Sequence, residues 1–471
     1  MTADDLAPLA EYASALRFDE LPKEVVEATR LNVLNNLACA FLGSSSPGSE
    51  QLRSAPEWFG TGQGATIVLG RPAGTQPMTA AFTHAAYINA TELSEGVSKA
   101  VVHTGTVIIP AVMAAAEQAG SQGKDVVAAI VAGYEVLIRV GWALAHVPGT
   151  PDDTVQAQSL HRGWYPPAVL GGFGVVAALG NLRGQTGEQI LDAMGTFANI
   201  APTTLLASFR QGVMAKGLGC GVASASGMMC TELAGSGFTG VRDAARKLFP
   251  LLVDEVDYTR LTDGLGERYE TLSLDVKFAG AGPVLADIEC MFQLIDRLGP
   301  VDIDRITQID VHTNRRALLL NDPRPQTPTA AKFSGPYCLA QVLLGRSRNE
   351  MMVEAFTAPI IENSNWEPIA GKVRMHLDEE FDRDFESVPP RRRPSRIVIA
   401  MNDGATLEHM VTGAMGLPMM PAPPEAYISK FRYLVEPRTS ASQTDEIVSL
   451  AMDLDQLDDA GQVMRACGSG R

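Results

Sequence analysis

The sequence predicts a mainly α-helical protein with a smaller α+β unit inserted between helical segments. Three observations carry this. Apolar residues recur at spacings of three and four over most of the first 265 residues and again after a Pro-rich turn that begins near Pro418. Runs dense in Ala and Gly, such as AVMAAA, VVAAIVAGYE, GVVAALG and GVASASG, let helices approach closely. Alternating apolar patterns are concentrated between residues 301 and 401.

Taken in order, Leu6, Leu9, Ala13 and Leu16, followed by Val25, Val26, Val33, Leu34, Leu37 and Ala38, mark two helices, with Pro22 suited to the first turn of the second. ATIVLG at 65–70 reads as a short strand before a GRPAG turn. Residues 76–96 read as helical, ending near Gly96. Two further helices are expected over Pro110–Ala119 and Gly123–Val147, separated by the turn GSQG. In the second half, 301–313, KVRMHL at 372–377 and SRIVIAM at 395–401 are strand patterns, with helices expected at Pro336–Leu344 and Asn349–Thr357. VPPRRRPSR at 388–396 reads as a solvated hairpin loop between strands, the alternative being a basic patch for a ligand or partner. After LPMMPAPPEAY the chain turns helical again and is expected to dock on the first helices.

A chain of 471 residues exceeds one ordinary core, so two domains are the default. With 54 acidic and 38 basic residues the formal charge is −16, which repels phosphate backbones and anionic lipid headgroups. Nucleic-acid and membrane partners are therefore not expected. The same field opposes a small polycarboxylate, so an enzyme for such a substrate must build a local cationic pocket. The six cysteines have neither CxxC nor Cys-His ligand spacing and read as buried thiols in a reducing compartment. The acidic N-terminal sequence lacks a signal-peptide pattern, and no apolar run of 18 residues is uninterrupted, so a cytoplasmic location is expected.

No phosphate-binding loop, HExxH metal motif, GxSxG elbow or dinucleotide fingerprint is present. His103, in AVVHTGTVIIP, lies between a polar loop and an apolar helix, where an imidazole can exchange a substrate proton; the alternative is a histidine that caps or hydrogen-bonds its loop. Lys216, in the glycine-rich RQGVMAKGLGCGVAS, can bind a carboxylate or stabilise an enediolate, or be a loop lysine. Arg210, six positions earlier, is an anchor or an internal ion-pair partner. In HRGWYPP, Tyr165 can donate a hydrogen bond, act as a base if nearby cations depress its pKa, or simply pack. KFSGPYC places Lys332 and Tyr337 around a turn entering an apolar helix.

The order and spacing of AAFTHAAYINATELSE, HTGTVIIPAVMAAAE, GYEVLIRVG, HRGWYPPAVLGGFGVVAALG, VMAKGLGCGVASASG, GFTGVR, AKFSGPYCLA and GLPMMPAPPEAYISKF carry a resemblance over nearly the whole chain. They resemble the MmgE/PrpD family, which contains 2-methylcitrate dehydratase, cis-aconitate decarboxylase and iminodisuccinate epimerase. The resemblance implies a large all-helical domain from both chain ends (1–267 and 403–471), a smaller α+β lid (268–402), a homodimer, and an interdomain site. It also implies proton transfer beside a carboxylate on a di- or tricarboxylic acid without metal or organic cofactor. Family matching makes His103 and Lys216 site residues and Tyr337 a lid-side tyrosine facing the ligand; with them Tyr165 is expected to be catalytic, and Glu92, Glu95, Arg210 and Lys277 to bind substrate alongside Tyr337.

Three departures bear on the reaction. Glu92-Leu93-Ser94-Glu95 stands where relatives resemble Asp-Phe-Asp-Asp, Tyr165 stands where dehydratases and decarboxylases carry histidine, and FAGAGPVLA after Lys277 lacks a lid histidine. The expected arrangement has His103 and Tyr165 bracketing an acidic C–H, with Lys216 and Arg210 offsetting carboxylate charge. A hydro-lyase is the first reading, an epimerase or isomerase the second, a decarboxylase the third and a binding protein the last.

Overall fold

Helices account for most of the regular structure in a computed structural model that describes residues 4–46, 48–54, 62–70, 72–145, 158–210, 213–280, 282–386 and 392–468. The longer ones before residue 253 are α1 (Ala7–Ala15), α2 (Lys23–Gly43), α3 (Pro77–Thr91), α4 (Thr104–Ala119), α5 (Gly123–Ala145), α6 (Pro166–Leu182), α7 (Gly187–Ile200), α8 (Ala215–Gly235) and α9 (Ala244–Leu252). Small residues set their packing. A Cβ on Gly133 of α5 would lie 2.6 Å from the carbonyl oxygen of Gly174 on α6, so these helices meet backbone to backbone. α8 packs against both α3 and α6, and α4 lies against α3 and α6. By composition α5 is long and apolar enough to cross a membrane; here it is buried from Val126 to Ala145 inside this helical core.

The second unit contains α10 (Leu285–Leu298), β1 (Ile306–Thr313), α11 (Gly335–Leu343), β2 (Val373–Leu377), β3 (Ser395–Met401) and β4 (Thr406–Val411). The strands form one sheet in the order β2-β1-β3-β4. β1 pairs parallel with β2 and antiparallel with β3, which pairs antiparallel with β4. Val284, Ile288, Phe292, Ile309, Val311, Ile397 and Ile399 build its separate apolar core. The chain then returns through α12 (Pro424–Val435), α13 (Ala441–Met452) and α14 (Gly461–Ala466), whose Tyr427, Phe431, Leu434, Ile447 and Met464 join the first core. α12 and α13 lie on α2, near the other end of the chain.

Several expectations need correction. ATIVLG is not a strand: its one ladder contact is the isolated Ala65–Thr75 bridge, and the Thr66 N–H donates instead to Glu117. α3 stops at Thr91 rather than Gly96, because Glu92 turns left-handed (φ 62°, ψ 13°). α4 starts six residues before Pro110, which is inside the helix. Asn349–Thr357 forms only the single turn Glu354–Phe356. A boundary at 402 would cut β4 from its sheet; the second core extends through Val411 to Leu417, while Leu274 and Val276 belong to the first. The segment 388–396 is not simply a solvated loop. Residues 387–391 lie outside the described residues, but Arg393 is buried and paired with Asp275 at 2.9 Å.

Candidate active site

The C-terminus of α3 is the organising point. A helix end leaves its last carbonyls without intrahelical donors and carries partial negative charge. Here Thr91 Oγ1 donates to the Ile88 carbonyl at 2.8 Å, Lys216 Nζ to the Asn89 carbonyl at 2.9 Å, and Lys332 Nζ to the Thr91 carbonyl at 2.6 Å. Lys216 comes from the first turn of α8, and Lys332 ends the short helix Pro328–Lys332 beside the second core. Asn89 links the two sides of the site: its Oδ1 accepts from Lys216 Nζ at 3.1 Å and from Tyr165 OH at 3.0 Å. The left-handed Glu92 brings its carboxylate into an ion pair with Lys216.

The loop from Glu92 to His103 is held from several directions. Glu95 is fully buried; Oε1 accepts from the Gly105 N–H at 2.6 Å and Tyr134 OH at 3.1 Å, and Oε2 from Asn36 at 2.8 Å and Asn35 at 3.1 Å. A Cβ on Gly105 would collide with Glu95, Asn36 and Tyr134, so glycine is required there. Gly96 exchanges backbone hydrogen bonds with Asp275 at 2.9 and 2.7 Å, Ser98 donates to Asp275 at 2.6 Å, and Arg393 completes this anchor.

His103 occupies the N-cap position of α4, but its ring does not cap the helix. Nδ1 lies 2.7 Å from the Glu95 carbonyl. A carbonyl only accepts, so Nδ1 carries the proton and the neutral ring presents an Nε2 lone pair. The ring lies over Gly96, where a Cβ would come within 3.2 Å of Nδ1 and Cε1. Its centroid is 6.5 Å from that of Tyr165.

Burial, reinforced by the Lys277 ammonium, depresses the His103 pKa to about 3, leaving a neutral base at ordinary pH. Burial and the neighbouring Cys220 push the Tyr165 phenol well up, so it is a hydrogen-bond donor rather than the base that depressed acidity would have made it. Burial lowers Lys277, Lys332 and Lys430 to about 8 each, and burial with the neighbouring Lys277 and Lys332 lowers Lys216 well below its ordinary value. Cys220, raised by burial to about 12, remains a neutral thiol. Lys216, Lys277, Lys332 and Lys430 are thus gathered in one region of a molecule whose formal charge is −16.

His103, Tyr165, Lys216 and Glu92 come together, and Lys277 is within electrostatic reach of both His103 and Lys216. Among the described residues the Lys277 ammonium has neither a hydrogen-bond nor an ion-pair partner. Two expectations fail geometrically. Glu95 is a support rather than a substrate ligand, since four protein donors occupy its oxygens. Tyr337 does not face the site: its hydroxyl donates to the Ala355 carbonyl, and its ring packs on Trp366 at 4.8 Å, fully buried in the second core. Arg210 ends the short helix Ala207–Arg210, and its side chain lies outside the described residues.

Asn89 and Lys430 escaped the sequence reading. Lys430, from α12, donates to Asn35 Oδ1 at 2.7 Å, the Leu93 carbonyl at 2.8 Å and the Lys277 carbonyl at 2.6 Å. A lysine on the apolar face of a terminal helix was the available signal. Among the described residues no group of three or more His, Cys, Asp and Glu side chains is arranged as a metal site.

Residues 7–248 match the MmgE/PrpD N-terminal domain, and residues 284–456 match the MmgE/PrpD C-terminal domain. A cis-aconitate decarboxylase from Aspergillus terreus is 28% identical over 485 residues, covering 97% of this chain and 94% of that protein. The cis-aconitate decarboxylase-like protein oryM from Aspergillus oryzae is 24% identical over 489 residues, covering 97% of this chain and 96% of its own.

Proposed function

The chain belongs to the MmgE/PrpD family, and from that premise we propose that it is a hydro-lyase for a small hydroxy polycarboxylic acid, with His103 as base and Tyr165 as acid. The observation that carries this reading is the neutral His103 ring, its Nδ1–H fixed on the Glu95 carbonyl and its Nε2 without a hydrogen-bond partner among the described residues, beside a protonated phenol. His103 Nε2 removes the proton from carbon adjacent to a carboxylate. The carboxylate takes up the developing charge as an enediolate, which the lysine ammonium groups stabilise. Tyr165 protonates the departing hydroxyl, so that water leaves and a carbon–carbon double bond forms; the proton on His103 then returns to the phenolate.

The reaction as proposed uses no resident cofactor. The second unit serves as a lid: Lys332 reaches the end of α3 from it, and its Arg393 holds the anchor beneath the His103 loop. A homodimer and a cytoplasmic location complete the proposal. Leu218, Val222, Met229 and Leu233 form an exposed apolar stripe along one face of α8, suited to a second copy. Six buried, unpaired cysteines suit a reducing compartment.

Decarboxylation is the second reading, favoured by the names of the relatives. Proton NMR in deuterium oxide with citrate, 2-methylcitrate, malate and cis-aconitate tests both. Vinylic signals from a hydroxy acid are expected. Loss of carbon dioxide would replace the hydro-lyase reading, and C–H exchange without a new skeleton would make the enzyme an isomerase. Turnover by His103→Gln equal to that of the unmodified chain would remove the base from the scheme.

A further inference from the structure

The hydrogen-bond capacity of the site lysines narrows the substrate. Each ammonium has three N–H groups. Lys430 directs its three to Asn35, Leu93 and Lys277. Lys216 is engaged by the Asn89 carbonyl, Asn89 Oδ1 and the Glu92 carboxylate. Lys332 makes one hydrogen bond, to the Thr91 carbonyl, and retains two N–H groups. Lys277 retains all three. Among the described residues these last two are therefore the site lysines with donors left for a ligand, and Lys277 lies within the electrostatic field that acts on Lys332.

We propose that the site takes a dicarboxylate, one carboxylate on Lys277 and the other on Lys332, and that Glu92 places the protein's own carboxylate on Lys216 where the third carboxylate of a tricarboxylic acid would bind. The backbone supports the assignment. Glu92 is held in the left-handed region that side chains other than glycine seldom adopt, and that turn is what swings its carboxylate back onto Lys216. Cis-aconitate, for which the relatives are named, carries three carboxylates, so Glu92 would act as a specificity determinant by subtraction. The inference rests on the polycarboxylate reading but not on which bond is broken.

Calorimetric binding of succinate and of tricarballylate, neither of which has a hydroxyl to eliminate, tests it without turnover. The unmodified chain is expected to bind succinate at least about tenfold more tightly than tricarballylate. Glu92→Gly, which suits the left-handed backbone, and Glu92→Gln, which keeps the side-chain size but not the charge, are each expected to shift that ratio about tenfold or more toward tricarballylate. Lys277→Met and Lys332→Met should each weaken succinate binding by about tenfold. Tighter binding of tricarballylate by the unmodified chain, or an unchanged ratio in folded Glu92→Gly, would overturn the inference. A succinate preference together with no proton exchange or elimination on any acid would instead overturn the hydro-lyase reading and leave the binding assignment standing. Failure of the folded chain to bind either acid would overturn both.

Discussion

Four donors converge on Glu95, which is fully buried. Glu95→Ala should therefore destabilise the fold by about 3–5 kcal/mol, the range for breaking a buried charged network, read as a lower urea midpoint. His103→Gln should lower kcat by about 10²–10⁴ with little change in that midpoint. The pH dependence of His103 has a definite sign. Its folded pKa of about 3 lies below the ordinary value of 6.5, so the unfolded chain binds more protons between them. Its stability contribution is present above about pH 6.5 and is lost as pH falls toward 3. The acid limb of kcat/KM should accordingly lie well below the usual histidine range in a pH–rate profile; an apparent pKa near 6.5 would contradict the desolvated ring. At this scale the sequence was partly legible. His103, Tyr165 and Lys216 stand beside loops, Pro or Gly, where chemistry is easily suspected, whereas Asn89 reads as an ordinary helix residue. Glu92 and Glu95 are three positions apart in one motif, and only the left-handed turn at Glu92 and the donors around Glu95 separate a carboxylate facing Lys216 from one serving as a support.

α12 is a terminal helix that reaches the centre of the molecule. Lys430→Met keeps much of the side-chain volume but leaves Asn35 Oδ1 and the Leu93 and Lys277 carbonyls without this donor. The expected loss is about 2–4 kcal/mol in urea unfolding, with a fall in kcat because the Lys277 segment loses its clamp. Restoring activity with Lys430→Arg would show that the charge-assisted hydrogen bonds matter rather than the apolar stem. Long helices were legible because their apolar spacing persists over many turns, as in α5. Short elements were not. ATIVLG has the composition of a strand but no neighbouring strand, Asn349–Thr357 has helical spacing but forms a single turn, and β4 alternates too weakly because its outward residues are largely exposed. Arg393 defeated composition altogether, since its burial depends on Asp275, which is 118 positions away.

The site gathers Lys216, Lys277, Lys332 and Lys430 within a molecule of formal charge −16, and ligand binding should report on it. An anion on Lys277 and Lys332 raises their pKa values from about 8, so the bound state holds more protons than the free state at that pH. Succinate binding at pH ~8 should take up protons, seen as a buffer-dependent calorimetric enthalpy, and its affinity should fall as pH rises further. The α8 stripe makes a separate prediction. Leu218→Glu with Leu233→Glu should convert a dimer to monomers in light scattering, whereas an unchanged mass would remove that face from the interface. The return of α12–α14 to α2 also has a consequence during synthesis. Helix α2 emerges from the ribosome almost 400 residues before the segment that covers it. Until translation has passed Val435, a growing chain lacks both the α12 clamp and a covered α2 face, so nascent intermediates must shield that apolar surface, and a product terminated before Pro424 would fail as a fold before it failed as a catalyst.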